Sequence, residues 1–185
     1  MKLILIKAFA IVSRFLIPLF YNKKYLQGRW FEGGRIDGWV WCWRSIWFQK
    51  VLGFNRQVKF PCSHNITIGN YKNLDFHNDN LDNMFSPGCY FQNYRAKIII
   101  GHGTYIAPNV GIITANHDFK NLDEHSEAKE VVLGERCWIG MGAIIMPGVT
   151  LADGTIVGAG SIVTKSVLKC NTVIVGNPAK VVRQY

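Results

Sequence analysis

An all-β solenoid, in which short parallel strands wind into a β-helix, is the fold the sequence predicts for its larger C-terminal part, and three observations carry that prediction. From Ile100 onward an aliphatic residue recurs every sixth position, at Ile100, Ile106 and Ile112 and then at Leu133, Ile139, Ile145, Leu151, Val157 and Val163. Four residues after each ladder position the side chain is small or β-branched: Thr104, Val110, Cys137, Ala143, Val149, Thr155, Ser161 and Val167, with Asn116 the one departure. Glycine follows the ladder residue at Gly101, Gly134, Gly140 and Gly158, where a tight corner favours it. A period of six suits neither a helix nor one long alternating strand, but it suits short strands joined by corners and stacked coil on coil. One coil cannot bury its own aliphatic edge, so stacking makes the core, and each ladder side chain contributes roughly 1.5 to 3 kcal/mol of burial before entropic losses.

The remaining elements are taken in chain order. The run LILIKAFAIVSRFLIPLF follows a single basic residue, Lys2. Lys7 and Arg14 interrupt it, Pro18 falls near its end and no small-residue cleavage site follows, which argues against a removable signal peptide. Two cations inside the run also argue against a membrane span, which needs about 20 mostly apolar residues. Two readings of residues 1–27 stand side by side. One is an in-plane helix with Lys2, Lys7, Arg14, Lys23 and Lys24 reaching lipid headgroups; the other is a helix packed on the main domain or on a neighbouring subunit. Residues 28–54 carry Trp30, Trp39, Trp41, Trp43 and Trp47 interleaved with Arg29, Arg35 and Arg44, a composition that fits a membrane interface or a hydrophobic cap on the end of a core. The division expected is an apolar, Trp-rich helical and aromatic extension over 1–57 and a β-helix domain over 58–185. Ile112 and Leu133 are separated by 21 residues, not a multiple of six, so a polar excursion loop over 118–130 leaves the solenoid between them, and a C-terminal tail closes the chain.

The formal charge of +9 raises the possibility of a nucleic-acid partner. The basic residues read as scattered and no nucleic-acid motif accompanies them, so no nucleic acid is expected. Cys42, Cys62, Cys89, Cys137 and Cys170 are odd in number and far apart, with neither CxxC nor zinc-type spacing; they are expected to be reduced thiols of a cytoplasmic protein, with no metal.

The stretches IIIGHGTYIAPNVGIITANHDF, VVLGERCWIGMGAIIMPGVTLADGTIVGAGSIVTKSV and VIVGNPAKVVR resemble the hexapeptide-repeat acyltransferases of the maltose, galactoside and xenobiotic acetyltransferase group. The resemblance covers most of residues 88–183 and implies a left-handed β-helix, a homotrimer and acetyl-CoA as acyl donor. It also implies roles. His117, just before the excursion, matches the general base that takes the acceptor hydroxyl's proton, a task suited to an imidazole. Met141 matches the backbone amide that stabilises the oxyanion. Trp138, Gly158, Ala159, Gly160, Lys165, Lys180 and Arg183 match positions along the coenzyme groove, the cations facing its phosphates. Gln92 and Asn93, in GCYFQNYRAK, match the acceptor pocket and stand as candidates for sugar hydroxyls.

The N-terminal region is not similar to the small-sugar enzymes. It looks more like acetyltransferases of surface-polysaccharide biosynthesis, whose acceptors are often lipid-linked glycans, which implies a cytoplasmic enzyme peripheral to the inner face of the membrane. Three rivals remain: an N-acetyltransferase of amino sugar nucleotides, a non-catalytic hexapeptide-repeat binding protein, and a γ-carbonic-anhydrase-type hydratase. The last needs three histidines on one zinc, a spacing that His64, His77, His102 and His125 do not reproduce.

Overall fold

The computed structural model describes residues 2–185, with side chains from Ile4 onward, so the expected role of the Lys2 side chain lies outside the described residues. The chain divides into two units, Met1–His64 and Asn65–Tyr185, a boundary somewhat later than the expected division at 57/58.

The first unit holds α1 (Lys2–Leu16) and α2 (Asp37–Ile46), the latter continued by a π turn at Trp47–Val51. Its core gathers Ile17, Tyr21, Phe31, Trp39, Val58 and Phe60. The hub is Gln49, fully buried: its Oε1 accepts from Tyr21 Oη at 2.9 Å and from Cys62 N at 3.1 Å, while its Nε2 donates to Phe60 O at 3.2 Å. That tie to Phe60 and Cys62 draws the residues just beyond 57 into this unit. The tryptophans divide: Trp39 is buried, Trp30 packs on Trp41 at 4.8 Å under the Arg29 guanidinium, and Trp43 and Trp47 are exposed. No helix among the described residues is long and apolar enough to cross a membrane.

The second unit is a left-handed parallel β-helix of three sheets. The first sheet stacks β1 (Thr67–Ile68), β3 (Tyr90–Gln92), β6 (Gly111–Ile113), β9 (Ile144–Ile145) and β12 (Ile162–Val163). The second stacks β2 (Leu74–Phe76), β4 (Ile98–Ile100), β7 (Val131–Leu133) and β10 (Thr150–Leu151). The third stacks β5 (Tyr105–Ile106), β8 (Trp138–Ile139), β11 (Ile156–Val157) and the C-terminal hairpin β13 (Thr172–Gly176) and β14 (Ala179–Gln184). All pairs are parallel except the hairpin.

All nine ladder residues point inward, none more than 3% exposed. Register explains why: Ile106 lies over Ile139 and Ile139 over Val157, so like stacks on like at every coil. The ladder glycines are needed for a reason other than a tight corner. A Cβ on Gly140 would sit 2.6 Å from both Ala159 N and Val157 O, so glycine there lets adjacent coils approach. The left-handed backbone falls elsewhere in the corners, for example at Gly142 with φ +69°.

The solenoid begins well before the six-residue rule becomes visible. In its first coil the place of a third-sheet strand is taken by a 3-10 segment, Asn78–Phe85. Side-chain amides there do the work of backbone: Asn83 Nδ2 donates to Thr104 O at 2.8 Å and its Oδ1 accepts from Ile106 N at 2.9 Å, completing the exposed edge of β5.

Four cysteines, Cys42, Cys62, Cys89 and Cys137, are buried free thiols and Cys170 is exposed. Burial raises all four, Cys62 up to about 12, so they stay protonated at neutral pH.

Candidate functional site

After β6 the chain leaves the corner between the first and second sheets and returns to β7 through a zippered hairpin. Ser126 N donates to Asn116 O at 2.9 Å, His117 and His125 form an antiparallel bridge, and Asp118 N donates to Glu124 O at 3.0 Å. Lys129 N then closes on Thr114 O at 2.8 Å. The expected excursion is therefore a folded arm with its apolar tip, Phe119 and Leu122, in solvent.

The arm determines the state of His117. Its Nδ1 lies 2.7 Å from Leu122 O, and since a carbonyl oxygen can only accept, Nδ1 carries a proton and the neutral ring has its lone pair on Nε2. The ring is exposed, and the His125 ring packs against it at 4.5 Å, tilted 34°. The pairing of His125 with His117 is not legible in the sequence, because seven intervening residues conceal it until the arm folds. Beside this neck a cleft of about 420 Å³ is lined by Asn116, Ser126, Lys129, Met146 and Thr164, one residue from Lys165.

Met141 lies at a different corner, between the third and first sheets. The N–H groups on either side of it are used, Gly140 N to Val157 O at 2.8 Å and Gly142 N to Pro108 O at 3.1 Å. Among the described residues the Met141 N–H meets no acceptor. The turn Gly158–Ala159–Gly160 stacks directly on this one, with Gly160 N donating to Met141 O at 2.8 Å. Trp138 enters the same corner from the third sheet, 56% exposed, in an outward row with Tyr105, Ile156, Val173 and Arg183. Lys180 is exposed on β14, opposite Val175.

The candidate residues thus fall into two groups. His117 and Lys165 belong to one corner, and Met141, Gly158, Ala159, Gly160 and Trp138 to the next, with one extended face of about 15 Å between corners. So separated, the His117 ring and the Met141 N–H do not meet within one copy of the chain.

The bacterial transferase hexapeptide family, a pattern of six repeats, matches residues 130–165. WbbJ of Escherichia coli K12, named as a lipopolysaccharide biosynthesis O-acetyl transferase, is 31% identical over 170 residues, covering 77% of this chain and 86% of its own. WcaF of the same strain, named as a colanic acid biosynthesis acetyltransferase, is 35% identical over 135 residues, covering 73% of this chain and 67% of its own. The chain belongs to the hexapeptide-repeat acetyltransferases. Among solved structures, a maltose O-acetyltransferase from Clostridium difficile 630 superposes with a TM-score of 0.50 at 28% identity, covering 97% of this chain and 88% of that one. Other curated relatives share only about half of their length with it. Membership makes this hexapeptide-repeat protein an acyltransferase. The Met141 N–H and the outward row ending in Arg183 are groups suited to a thioester oxygen and to phosphates.

Gln92 and Asn93 turn their amides to neighbouring coils. Asn93 is fully buried, its Nδ2 donating to Asn70 O at 2.8 Å and its Oδ1 accepting from Asn70 N at 3.0 Å. Gln92 Oε1 accepts from Thr114 N at 2.9 Å and Ala115 N at 3.0 Å, and its Nε2 donates to Ala115 O at 3.0 Å. Both amides are consumed in joining coils, and Gln92 braces the two residues that lead into the His117 arm. Asn93 has no face toward an acceptor, whereas Gln92 is only half-buried. His77 and His102, which spacing kept apart, also meet: Asp79 Oδ2 lies 3.3 Å from His102 Nε2 and 3.8 Å from His77 Nδ1, on an exposed corner. These three groups lie outside both corners that carry the candidate acetyl-transfer residues.

Proposed function

We propose that this acetyltransferase moves the acetyl group of acetyl-CoA onto a sugar hydroxyl of a surface polysaccharide or its lipid-carried precursor, at sites formed between copies of a homotrimer on the cytoplasmic face of the membrane. The observation that carries the reading is the Leu122 carbonyl on His117 Nδ1, which leaves Nε2 free and exposed as a base. Nε2 takes the proton as the acceptor oxygen attacks the thioester carbon. The Met141 N–H of the adjoining corner holds the oxyanion, and as the C–S bond breaks the proton passes from His117 to the coenzyme sulfur, leaving an acetyl ester and free coenzyme A. Trp138 walls the coenzyme groove along Gly158, Ala159 and Gly160, with Lys165, Lys180 and Arg183 toward the phosphates. Support for a glycan acceptor comes from the names of WbbJ and WcaF, and support for a shared site from the placement of base and amide at different corners.

The test is mass spectrometry of candidate glycans incubated with acetyl-CoA and the full chain. An added acetyl group released by mild base, absent with His117→Ala, is the expected result. An alkali-stable amide would move the reading to N-transfer, and undiminished turnover by His117→Ala would remove the assigned base.

A further inference from the structure

We propose that the first unit, Met1–His64, is a docking surface for anionic bilayers, lying in the headgroup plane and extending beyond α1 to the α2 π turn and the loop after it. The inference stands apart from the acetyl-transfer reading, because a chain with no catalytic activity would dock equally well.

The first argument is the arrangement of apolar side chains. In α1 one face, through Ser13, packs inward, and Ile17 just after the helix is fully buried. The opposite face is apolar as well: Ile4, Leu5, Ile11, Val12, Phe15 and, one turn past the helix, Leu19 are all exposed, Phe15 at 77% and Leu19 at 76%. A helix that is hydrophobic all round needs a covering on both sides, and the chain supplies one. A second exposed set, Trp43, Trp47, Val51, Leu52 and Phe54, follows from α2. Trp43 Nε1 donates to Ser13 Oγ at 2.9 Å, which holds α2 against α1.

The second argument is charge. Read along the chain the cations look scattered, but divided by unit they do not. Eleven of the 21 Lys and Arg and only two of the 12 Asp and Glu fall in residues 1–64, a balance of +9; the ten cations and ten acids of residues 65–185 cancel. The whole formal charge of the protein belongs to the unit with the bare apolar surface, and exposed Lys7, Arg14 and Lys23 interrupt or border it.

These two features together select the occupant. A second copy of the same face would bring like charge against like charge. A nucleic acid would use the cations and leave Phe15, Leu19 and Trp47 in water. An anionic bilayer offers phosphates to the cations and acyl chains to the rings. The 15 residues of α1 reach about 22 Å against a hydrocarbon core of about 30 Å, and no helix among the described residues is long and apolar enough to cross a membrane.

The test uses the full chain with vesicles of phosphatidylglycerol and phosphatidylcholine, or of phosphatidylcholine alone. Flotation measures binding, and quenching of Trp43 and Trp47 by brominated acyl chains measures depth. The expected results are at least tenfold tighter binding to the anionic vesicles, quenching of the tryptophans, and weakening in high salt. Phe15→Asp with Leu19→Asp should abolish binding, and Lys23→Glu with Lys24→Glu should weaken it about tenfold, with the melting temperature and acetyl transfer to a soluble acceptor unchanged. Equal binding to neutral vesicles, or binding that survives Phe15→Asp with Leu19→Asp, would overturn the proposal. So would a vesicle-free oligomer dispersed by that same pair, because the covering would then be another protein chain.

Discussion

The two units of this protein handle their apolar residues in opposite ways. In residues 65–185 the ladder side chains stack coil on coil, and the unit has no net charge. In residues 1–64 a buried core around Gln49 coexists with a bare apolar face and a charge of +9. A repeating coil is its own complement, so the solenoid completes itself by adding turns. The first unit has no repeat to stack on, and its outward face is made to meet something other than itself.

This contrast can be broken at several points. Ile139→Asp places a carboxylate inside the ladder, where Ile106 and Val157 flank it, and should cost on the order of 5 kcal/mol, comparable with the whole stability of a domain; loss of the cooperative unfolding transition in circular dichroism is the readout. Phe15→Asp, an equally drastic change on the first unit, should leave that transition within about 0.5 kcal/mol of the parent, since the residue is 77% exposed. If the two variants fell together, the distinction between units would be lost.

His117→Ala should lower kcat by about a hundred- to ten-thousandfold, with coenzyme A affinity by calorimetry retained. Asn83→Ala strands Thr104 O and Ile106 N and should cost about 1 to 3 kcal/mol, read as a shift in urea midpoint. The smallest effect concerns the thiols. A disulfide reagent at pH 8 should label exposed Cys170 at once and the four buried cysteines only on unfolding, because burial holds them protonated.

Legibility in the sequence followed the solenoid's regularity. From Ile100 on, every ladder position is a buried aliphatic, because a six-residue coil edge repeats in sequence as in space. Before Ile100 the rule fails although the solenoid has already begun: Phe76 lies over Ile100 and Phe91 over Ile112, but the connections between them vary in length and Asn78–Phe85 replaces a strand. Side-chain amides there pair with backbone, and no periodicity announces that. The bonds of Gln92 and Asn93 to neighbouring coils are hidden for the same reason, since an amide on a strand looks equally suited to a sugar or to the next coil.

By itself the sequence determined the coil core and the place where the chain departs from it, since both are matters of spacing between apolar residues along one dimension. The lone pair on His117 Nε2, the company of His125 and the separation of His117 and Met141 onto different corners were decided only by tertiary structure. Each depends on which distant segments fold against each other, and that is a property of contacts rather than of intervals.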